Sequence, residues 1–415
     1  MVTTSPPAAS PALTLATEHA FIRYLMARCF GTLAVQMQTV AVGWQVYDIT
    51  HDPLDLGLIG LSQFLPFILL ILPAGHAADH YDRRRILTGC YLLNMVSALG
   101  LLAFSVLAVH AAGPIFAVMT LLGVTRAFAM PSAQALLPNL VRPELFARAT
   151  AVNSSVFQVC TIVGPTLGGV LYLAGPSAVF GTVATLLAIS TLLMTRVRIG
   201  GRITTAPPAV TVRSLLSGLT FVRSKPTVLG AISLDLFAVL FGGATALLPI
   251  YARDILHTTS VGLGVLRTAP GMGAAVCALV LSLSPLERHV GRWLFAGVAV
   301  FGAATVVFGL STNIVVSVIA LILLGASDMV SVYLRHLLVQ LETPDEIRGR
   351  ISAVNAVFIG ASNELGEFES GITAAWFGTV RAVVLGGVAT MLVAASWAWW
   401  FPQLRRMDRL PERVR

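Results

Sequence analysis

Five carboxylates lie inside long apolar stretches of this sequence, where an ionised side chain is costly. They are Asp235, Asp328, Glu364, Glu367 and Glu369. In hydrocarbon an ionised carboxylate costs at least about 2.5 kcal/mol, and protonation removes that cost. Glu364 and Glu367 are three residues apart and share a helix face, so their charges repel unless one is protonated. These acids are candidates to bind and release protons. The alternative for each is a structural ion pair with Arg28, Arg126 or Arg267.

Other polar residues in the same apolar stretches are candidates to line a cavity. Arg126 lies in the fourth stretch, Arg28 and Gln36 in the first, and Asn153 in the fifth. A charge at that depth usually faces a cavity or a partner. Structural ion pairs and helix–helix hydrogen bonds are the alternatives for these residues.

The sequence offers little for catalysis or for metal binding. Neither an HExxH nor a GxSxG pattern occurs, and no Walker motif is present. The four cysteines fall in four different apolar stretches, without a CxxC pair or a Cys/His cluster. We therefore expect no catalytic residues, no cofactor and no metal site.

The elements that must position these residues are membrane-spanning helices. Hydrophobic residues make up 56% of the 415 residues and charged residues only 11%, whereas soluble domains carry about 25% charged residues. The mean hydropathy is +0.83. A span needs about 20 apolar residues, and twelve such runs occur in two blocks of six. They are 20–47, 54–77, 86–109, 114–137, 147–173, 177–196, 227–252, 259–284, 291–311, 314–338, 350–377 and 380–401. The predicted fold is all-α and integral to the membrane.

Basic residues are distributed unevenly between the two sets of connections. One set, with the central loop and the C-terminal tail, holds 21 of the 27 Arg and Lys residues, and the other holds Arg253 and Arg381. By the positive-inside rule, both termini and the central loop face the cytoplasm. The net charge of +8 then reflects topology rather than nucleic-acid binding. The predicted segments are a cytoplasmic tail (1–18), a six-helix half (19–196), a cytoplasmic loop (197–226), a second six-helix half (227–402) and a basic cytoplasmic tail (403–415).

The two blocks resemble each other at an offset of about 200 residues. The triplet AVN occurs at 151–153 and again at 353–355. At the same offset three glycine pairs align: Gly123 with Gly325, Gly164 with Gly366, and Gly169 with Gly371. Chance among apolar helices is the alternative explanation. A true repeat predicts two six-helix halves with the same membrane direction, which suits a transporter with a binding site between them.

Residues 75–85 read GHAADHYDRRR, between the second and third runs. This loop resembles the GxLADRxGRR loop of the major facilitator superfamily, with His80 and Asp82 as departures. The resemblance implies a gate at the cytoplasmic side, in which Gly75 permits close helix approach and Asp79 accepts charge-assisted hydrogen bonds. Two arginines, Arg83 and Arg84, would supply the donors. A positive-inside cluster with an incidental aspartate is the alternative.

Two further features of the first half resemble the same superfamily. Arg126 resembles its buried arginine in the fourth helix. Residues 164–169 read GPTLGG, which is similar to the GPxxGG element of its antiporters. Plain helix packing is the alternative role for Gly164, Pro165, Gly168 and Gly169.

The second half extends the resemblance. Residues 234–237 (LDLF), 325–328 (GASD), 343–350 (TPDEIRGR) and 363–371 (NELGEFESG) are similar to the bacterial exporter branch that includes the enterobactin exporter. This resemblance implies twelve helices in two pseudo-symmetric halves and an inner-membrane exporter that works by alternating access. The implied cargo is a small organic or amphiphilic molecule, such as a drug or a siderophore, and the export is proton-coupled. A monomer with protons, cargo and membrane lipids as its partners is expected.

Two other classes of function stay open at this stage. One is a membrane-embedded enzyme that modifies lipids, and the other is a non-transporting sensor built on a carrier fold. Transport driven by an imposed pH gradient separates an exporter from both.

Overall fold

The computed structural model describes residue 15 and residues 17–108, 111–198, 212–344 and 347–411. Its architecture is a bundle of twelve long helices, numbered here in chain order. They are α1 His19–Thr50, α2 Pro53–His80, α3 Arg83–Val106, α4 Gly113–Leu136, α5 Phe146–Leu171, α6 Pro176–Thr195, α7 Pro226–Phe241, α8 Ser260–Leu283, α9 Val290–Leu310, α10 Ile314–Glu342, α11 Arg348–Phe377 and α12 Thr379–Trp400. The bundle has a terminal face, where α1 begins and α12 ends, and an opposite face.

Ten of the helical segments in the described residues are long and apolar enough to cross a membrane. The two long helices outside that set are α1 and α11, and α11 carries the three embedded glutamates. Both helices pack among the other spans, α1 against α5 and α6, and α11 against α2. A polar helix is tolerated in a membrane where the bundle shields it from lipid.

Local sequence fixes several helix starts. The carboxylate of Asp52 accepts from the backbone N–H of Leu54 to cap α2, and Asp82 caps α3 through the N–H of Arg84. Asn313 caps α10 in the same way. These caps satisfy N–H groups that lack partners in the first helical turn.

The seventh run is not the single helix that its sequence predicts. The regular part of α7 ends at Phe241, and after Gly242 and Gly243 the chain continues as irregular turns from Ala244 to Ile255. We call this segment the α7 extension. A Cβ at Gly243 would lie 2.6 Å from the carbonyl carbon of Gly366, so α11 comes too close there for a side chain. The predicted span over 227–252 is therefore present as Pro226–Ile255, but its regular helix is interrupted after Phe241.

The central loop contains one helix, Val212–Ser224, which we call the linker helix. The periodicity of its apolar residues predicts an amphipathic helix over 210–222, of which 210 and 211 lie outside the described residues. Val222 is buried and packs with Val228 and Ile232 of α7. The C-terminal end of the linker helix is thus anchored on the second half of the bundle.

Packing follows the same plan in each half. In the first half α2 packs on α4, α3 on α6, and α1 on α5; in the second half α8 packs on α10, α9 on α12, and α7 on α11. The halves meet where α5 packs on α8 and where α2 packs on α11. We call these two contacts the seams.

Glycines at repeat-related positions make equivalent contacts. A Cβ at Gly123 of α4 would lie 2.6 Å from the Pro66 ring of α2. Its counterpart in α10, Gly325, is packed in the same way on Pro270 of α8. A side chain at either position would therefore clash with the neighbouring helix. The internal repeat of the sequence corresponds to a repeated helix–helix contact.

The turns that precede α6 and α12 repeat as well. Gly175 has φ 97° and ψ 161°, and Gly378 has φ 86° and ψ 151°. Residues with a side chain rarely adopt these angles. The two halves therefore use glycine to make the same reversal, 203 residues apart.

The halves are joined on one side of the bundle only. Among the described residues, every hydrogen bond and ion pair between the halves lies at the depth of Arg126 or nearer the opposite face. Arg126 itself lies near the middle of α4, yet its side chain is 45% exposed. The bundle is therefore closed at the opposite face and open towards the terminal face.

Candidate functional site

The first charged cluster lies on the α2–α11 seam, at the inner end of the opening. Arg126 of α4 forms an ion pair with Glu364 of α11, which joins the two halves. The guanidinium of Arg126 also lies 5.2 Å from the ring centre of Phe67 in α2. Glu364 is buried, whereas Arg126 is partly exposed to the opening. The pair is thus placed where a cargo or a proton would reach it.

Glu367 and Arg267 complete this seam cluster. The charges of Glu364, Arg267 and Arg126 all act on the carboxyl group of Glu367. A Cβ at Gly60 of α2 would lie 2.9 Å from Oε2 of Glu367, so the absence of a side chain there makes room for the carboxylate. With every member ionised, two guanidinium groups balance two carboxylates, and a proton on either glutamate would change that balance.

A second cluster is buried within the second half. Nη1 of Arg335 lies 2.7 Å from Oδ2 of Asp235, which joins α10 to α7, and Arg335 is only 2% exposed. Asn355 of α11 accepts a hydrogen bond of 3.4 Å from the same Nη1 atom. Asp328 lies close enough for the charges of Asp235 and Arg335 to act on it. We call Asp235, Asp328 and Arg335 the inner triad.

Arg335 is a residue that the sequence analysis missed, because it was counted among the basic residues of a terminal-face connection. The structure places it inside α10, with its guanidinium buried. A signal was present, since Asp328 and Arg335 are seven residues apart and therefore lie on one face of a helix.

Glu369, the fifth embedded carboxylate, lies on α11 nearer the opposite face than Glu367. Its carboxylate has no hydrogen bond or ion pair with any residue that the structure describes. The backbone carbonyl of Glu369 accepts a hydrogen bond from the hydroxyl of Thr373. Glu369 is thus separate from both clusters.

The polar residues predicted to line a cavity fall at different places. Arg28 donates to the hydroxyl of Tyr24 at 3.3 Å and lies 5.5 Å from the ring centre of Phe157. Gln36 packs against Gly164. A Cβ built at Gly164 would lie 2.6 Å from the Cβ of Gln36. The Oδ1 atom of Asn153 is buried without a hydrogen-bond partner among the described residues. Arg28 and Arg126 therefore each combine a charge with an aromatic neighbour, whereas Gln36 and Asn153 do not carry a charge.

Two cysteines that the sequence places in separate helices come together. The sulfur atoms of Cys29 in α1 and Cys160 in α5 are 3.5 Å apart, and both thiols are free. They lie on the α1–α5 contact that also holds Gly164 and Gly168. The sequence gave no spacing signal for this contact because the two residues are 131 positions apart.

The loop at residues 75–85 ties three helix ends of the first half together. Arg83 donates to the carbonyls of Ala78 at 3.0 Å and Ala135 at 3.2 Å. Arg84 donates to the carbonyl of Val197 at 3.0 Å. These bonds join the start of α3 to the ends of α2, α4 and α6 at the terminal face.

The other two residues assigned to the gate behave differently. Asp79 has no ion-pair partner among the described residues. No atom lies within 4 Å of a Cβ built at Gly75, so the expected close helix approach at that glycine is wrong for this conformation. Both observations fit an open terminal face, at which no described residue of the second half pairs with Asp79 or lies close to Gly75.

The GPTLGG segment of α5 divides its residues between two neighbours. Gly164 and Gly168 face α1, where a Cβ at Gly168 would lie 2.8 Å from the Cα of Met37. Pro165 and Gly169 face α8 across the seam, and the hydroxyl of Ser260 donates to the Gly169 carbonyl at 2.8 Å. The segment therefore serves both the packing of the first half and its closure on the second half.

A polar cluster closes the opposite face. Asp48 of α1 pairs with Arg253 of the α7 extension, and Tyr47 donates to the carboxylate of Asp254. Tyr47 is only 6% exposed, so the protein encloses its side chain. These four residues, the opposite-face latch, join the two halves.

The arrangement suits transport rather than covalent chemistry. Charged groups line an opening that ends between two repeat-related halves, with an ion pair across the contact. Within the part of the chain that the structure describes, no group of three or more His, Cys, Asp or Glu side chains is placed to hold a metal ion.

Comparison with known proteins agrees with this architecture. The sequence model of the family described as transmembrane secretion effector matches residues 11–413. The enterobactin exporter EntS of Citrobacter koseri is 26% identical, over 96% of this chain and 95% of the relative. The enterobactin exporter EntS of Escherichia coli O1:K1 / APEC is 25% identical, over 96% of each chain.

Solved structures share the fold at low sequence identity. A bacterial homologue of the human lysosomal transporter Spinster, in an inward-facing and unoccupied conformation, superposes with a TM-score of 0.75 at 12% identity, covering 95% of this chain and 99% of the other. A bacterial homologue of the iron transporter ferroportin, in an inward-facing state, gives 0.68 at 15% identity, covering 91% and 98%. The chain therefore belongs to the transmembrane secretion effectors of the major facilitator superfamily, as a multi-pass secondary transporter of the bacterial inner membrane that exports small molecules and is not an enzyme.

Proposed function

We propose that this transporter exports an amphiphilic organic molecule, of which a siderophore is the first candidate, in exchange for protons. The two relatives compared above are enterobactin exporters and align with nearly all of the chain. The observation that carries the proposal is the Arg126–Glu364 ion pair, because it joins the halves at the inner end of the opening. In the cell the transporter acts as a monomer in the lipid bilayer.

The proposed orientation places the terminal face in the cytoplasm. The basic residues of the loop at 75–85 and of the linker support it, since positive charges are retained on that side. The structure then corresponds to a transporter that is open to the cytoplasm and ready to accept cargo. Residues 19–196 and 227–402 would act as the two moving halves, and the segments 1–18, 197–226 and 403–415 would stay cytoplasmic.

Proton coupling is proposed to act through the seam cluster. A proton on Glu364 would remove its charge, break the pair with Arg126 and free that guanidinium for the cargo. The same event would remove a bond between the halves, so proton binding would change which conformation is favoured. Glu367 would share the proton, and Glu369, nearer the opposite face and without a partner among the described residues, would be its point of entry.

Asp235 and Asp328 complete the set of embedded carboxylates proposed for coupling. They lie in the inner triad, between helices of the second half, rather than on the seam. Neutralisation of Asp328 by a proton or another cation would act on the packing of α7 against α10. The seam cluster and the inner triad thus have separate roles in this proposal.

The terminal-face gate is proposed to form in the outward-open state. Arg83 and Arg84 hold the loop at 75–85 on the first half, which leaves Asp79 free of ion pairs with the described residues. Closure would bring Asp79 to donors of the second half. An interaction of about 1–3 kcal/mol would change the populations of two states by roughly tenfold or more.

The test separates uphill transport from exchange. We expect Glu364→Gln and Glu367→Gln to abolish efflux driven by a pH gradient in proteoliposomes, while counterflow exchange of labelled iron-free enterobactin continues. Exchange needs both conformations but no net proton movement. Glu287→Gln, at an exposed carboxylate in the α8–α9 connection, is the matched control and should transport normally.

If both seam variants transport uphill at the wild-type rate, these glutamates are structural. If the wild-type protein exchanges no enterobactin, the cargo has to be identified by comparing metabolites in the media of deletion and wild-type strains. That second result would reject enterobactin as cargo and leave the role of the glutamates to be tested with the cargo so found.

A further inference from the structure

A small cavity with a mixed polar and apolar wall lies in the second half, between α7, α9 and α10. Its volume is about 10 Å³, which corresponds to room for roughly one water-sized particle. The polar groups of its wall come from Asp235, Ser327, Asp328 and Ser331. The α9 side contributes apolar residues such as Phe301. All side-chain oxygens therefore converge from α7 and α10.

The hydrogen bonds of this wall leave two groups without partners. Asp235 is paired with Arg335, and the hydroxyl of Ser327 donates to the carbonyl of Leu324 at 2.9 Å. By contrast, the Asp328 carboxylate has no hydrogen bond or ion pair within the described part of the chain. The hydroxyl of Ser331 also lacks a described partner, although this residue is only 3% exposed. Buried polar groups normally find a partner, so the Ser331 hydroxyl, in the same cavity wall as the half-buried Asp328 carboxylate, points to a missing one.

The charge of the inner triad points to the kind of partner. With both carboxylates ionised, the inner triad would carry one net negative charge, and in a membrane interior such a charge is costly. The seam cluster differs, because its two cations and two anions balance. One bound monovalent cation would make the inner triad neutral, whereas a divalent cation would leave a positive charge. Oxygen donors without sulfur or imidazole suit a hard cation.

We propose that this cavity binds one sodium ion, held by the carboxylates of Asp235 and Asp328 and by the hydroxyls of Ser327 and Ser331. Arg335 is a positioning residue, because its ion pair orients Asp235 although Arg335 is not itself among the residues that line the cavity. The ion would tie α7 to α10 within the second half. This site does not depend on the proposed cargo or on proton exchange at the seam.

The test is sodium binding to the purified full-length transporter in detergent, without cargo and without a gradient. Equilibrium binding of ²²Na⁺ should saturate at about one ion per chain. Sodium chloride should raise the thermal midpoint above that in choline chloride of equal ionic strength, since a ligand that binds only the folded state stabilises it. Potassium, a larger ion, should compete weakly for so small a cavity.

Two variants remove one donor each. Asp328→Asn and Ser331→Ala should lower the apparent sodium affinity at least about tenfold, as loss of a supporting group at a metal site does. Ser97→Ala is the matched control: Ser97 of α3 is also 3% exposed and its hydroxyl also lacks a described partner, but it lies in the other half. This control should bind sodium as the wild type does.

Three results would overturn the proposal: no saturable ²²Na⁺ binding by the wild type, an equal effect of choline, or unchanged affinity in both donor variants. The wild-type binding measurement decides the matter even if a variant fails to fold. Failure here leaves the proton-coupled export intact, because that is measured with cargo at the seam cluster.

Discussion

At the scale of single residues, the Asp235–Arg335 pair has the largest energetic consequence. Both partners are nearly inaccessible, and each compensates the charge of the other. Removal of one partner from a buried ion pair leaves an uncompensated charge, which typically costs about 3–5 kcal/mol. The stability of the second half therefore depends on this pair.

We expect Asp235→Asn to lower the free energy of unfolding by about 3–5 kcal/mol, because it leaves Arg335 buried and charged. The double variant Asp235→Asn/Arg335→Gln should recover at least half of that loss. Thermal unfolding of the purified protein measures both changes. Glu369→Gln is the control: its carboxylate has no described partner, so the substitution should leave stability nearly unchanged. A single Asp235→Asn variant as stable as the wild type would contradict this account.

Residue types in the sequence identified the embedded acids and placed Arg126 among their candidate partners, but they did not show which acid pairs with which arginine. Glu364 and Arg126 are 238 positions apart, so only the fold brings them together. For Asp235 the alternatives weighed from sequence were Arg28, Arg126 and Arg267, whereas the partner is Arg335. That partner was overlooked because an arginine near the end of an apolar run was counted as a basic loop residue in the positive-inside rule. Composition alone does not distinguish it from a buried ion-pair residue.

At the scale of helices, the seams depend on glycines that let backbones approach. Gly57 of α2 and Gly371 of α11 face each other, and a Cβ at Gly371 would lie 2.7 Å from the Cα of Gly57. Gly264 of α8 has the equivalent place on the α5 seam, where a Cβ would lie 2.7 Å from the carbonyl oxygen of Pro165. Side chains at these positions would oppose closure of the opposite face.

We expect Gly57→Val to shift the transporter away from the conformation in which the opposite face is closed. The reporter is Thr166→Cys in a cysteine-free background. Thr166 lies in the other seam, where its hydroxyl oxygen is 2.8 Å from the hydroxyl oxygen of Thr268. Thiol labelling of the purified protein should accelerate about fivefold or more, the lower end of typical coupling energies. Gly100→Val is the matched control, since no atom lies within 4 Å of a Cβ there. Equal labelling rates in both variants would contradict a closing role for this seam.

Hydropathy accounts for ten of the twelve long helices, which are long and apolar enough to cross a membrane, whereas α1 and α11 are more polar. The internal repeat also predicts which glycines are equivalent, and Gly123 and Gly325 make equivalent contacts. The break after Phe241 was not foreseen. Its cause is the approach of α11 to Gly243, a tertiary contact that leaves the apolar run uninterrupted. Hydropathy predicts which segments lie in the membrane, but it does not predict where a helix within such a segment is interrupted.

At the scale of the whole molecule, the distribution of contacts describes a transporter in one of its states. The latch at the opposite face and both seams hold the halves together, while the terminal face is open. Alternating access requires the converse state, with those contacts broken and the terminal-face gate formed. The Arg126–Glu364 pair lies at the boundary between the two gates, which is why we assign the coupling of protons to conformation to it.

The most direct test of proton-driven export uses everted membrane vesicles from cells that produce the transporter, with the cargo recovered from the media comparison. Everted vesicles that acidify their lumen should accumulate cargo. Nigericin, which collapses the pH gradient, should abolish the accumulation, whereas valinomycin, which collapses only the electrical potential, should leave most of it. Accumulation that persists in nigericin, or that also occurs in vesicles without the transporter, would contradict proton-coupled export by this chain.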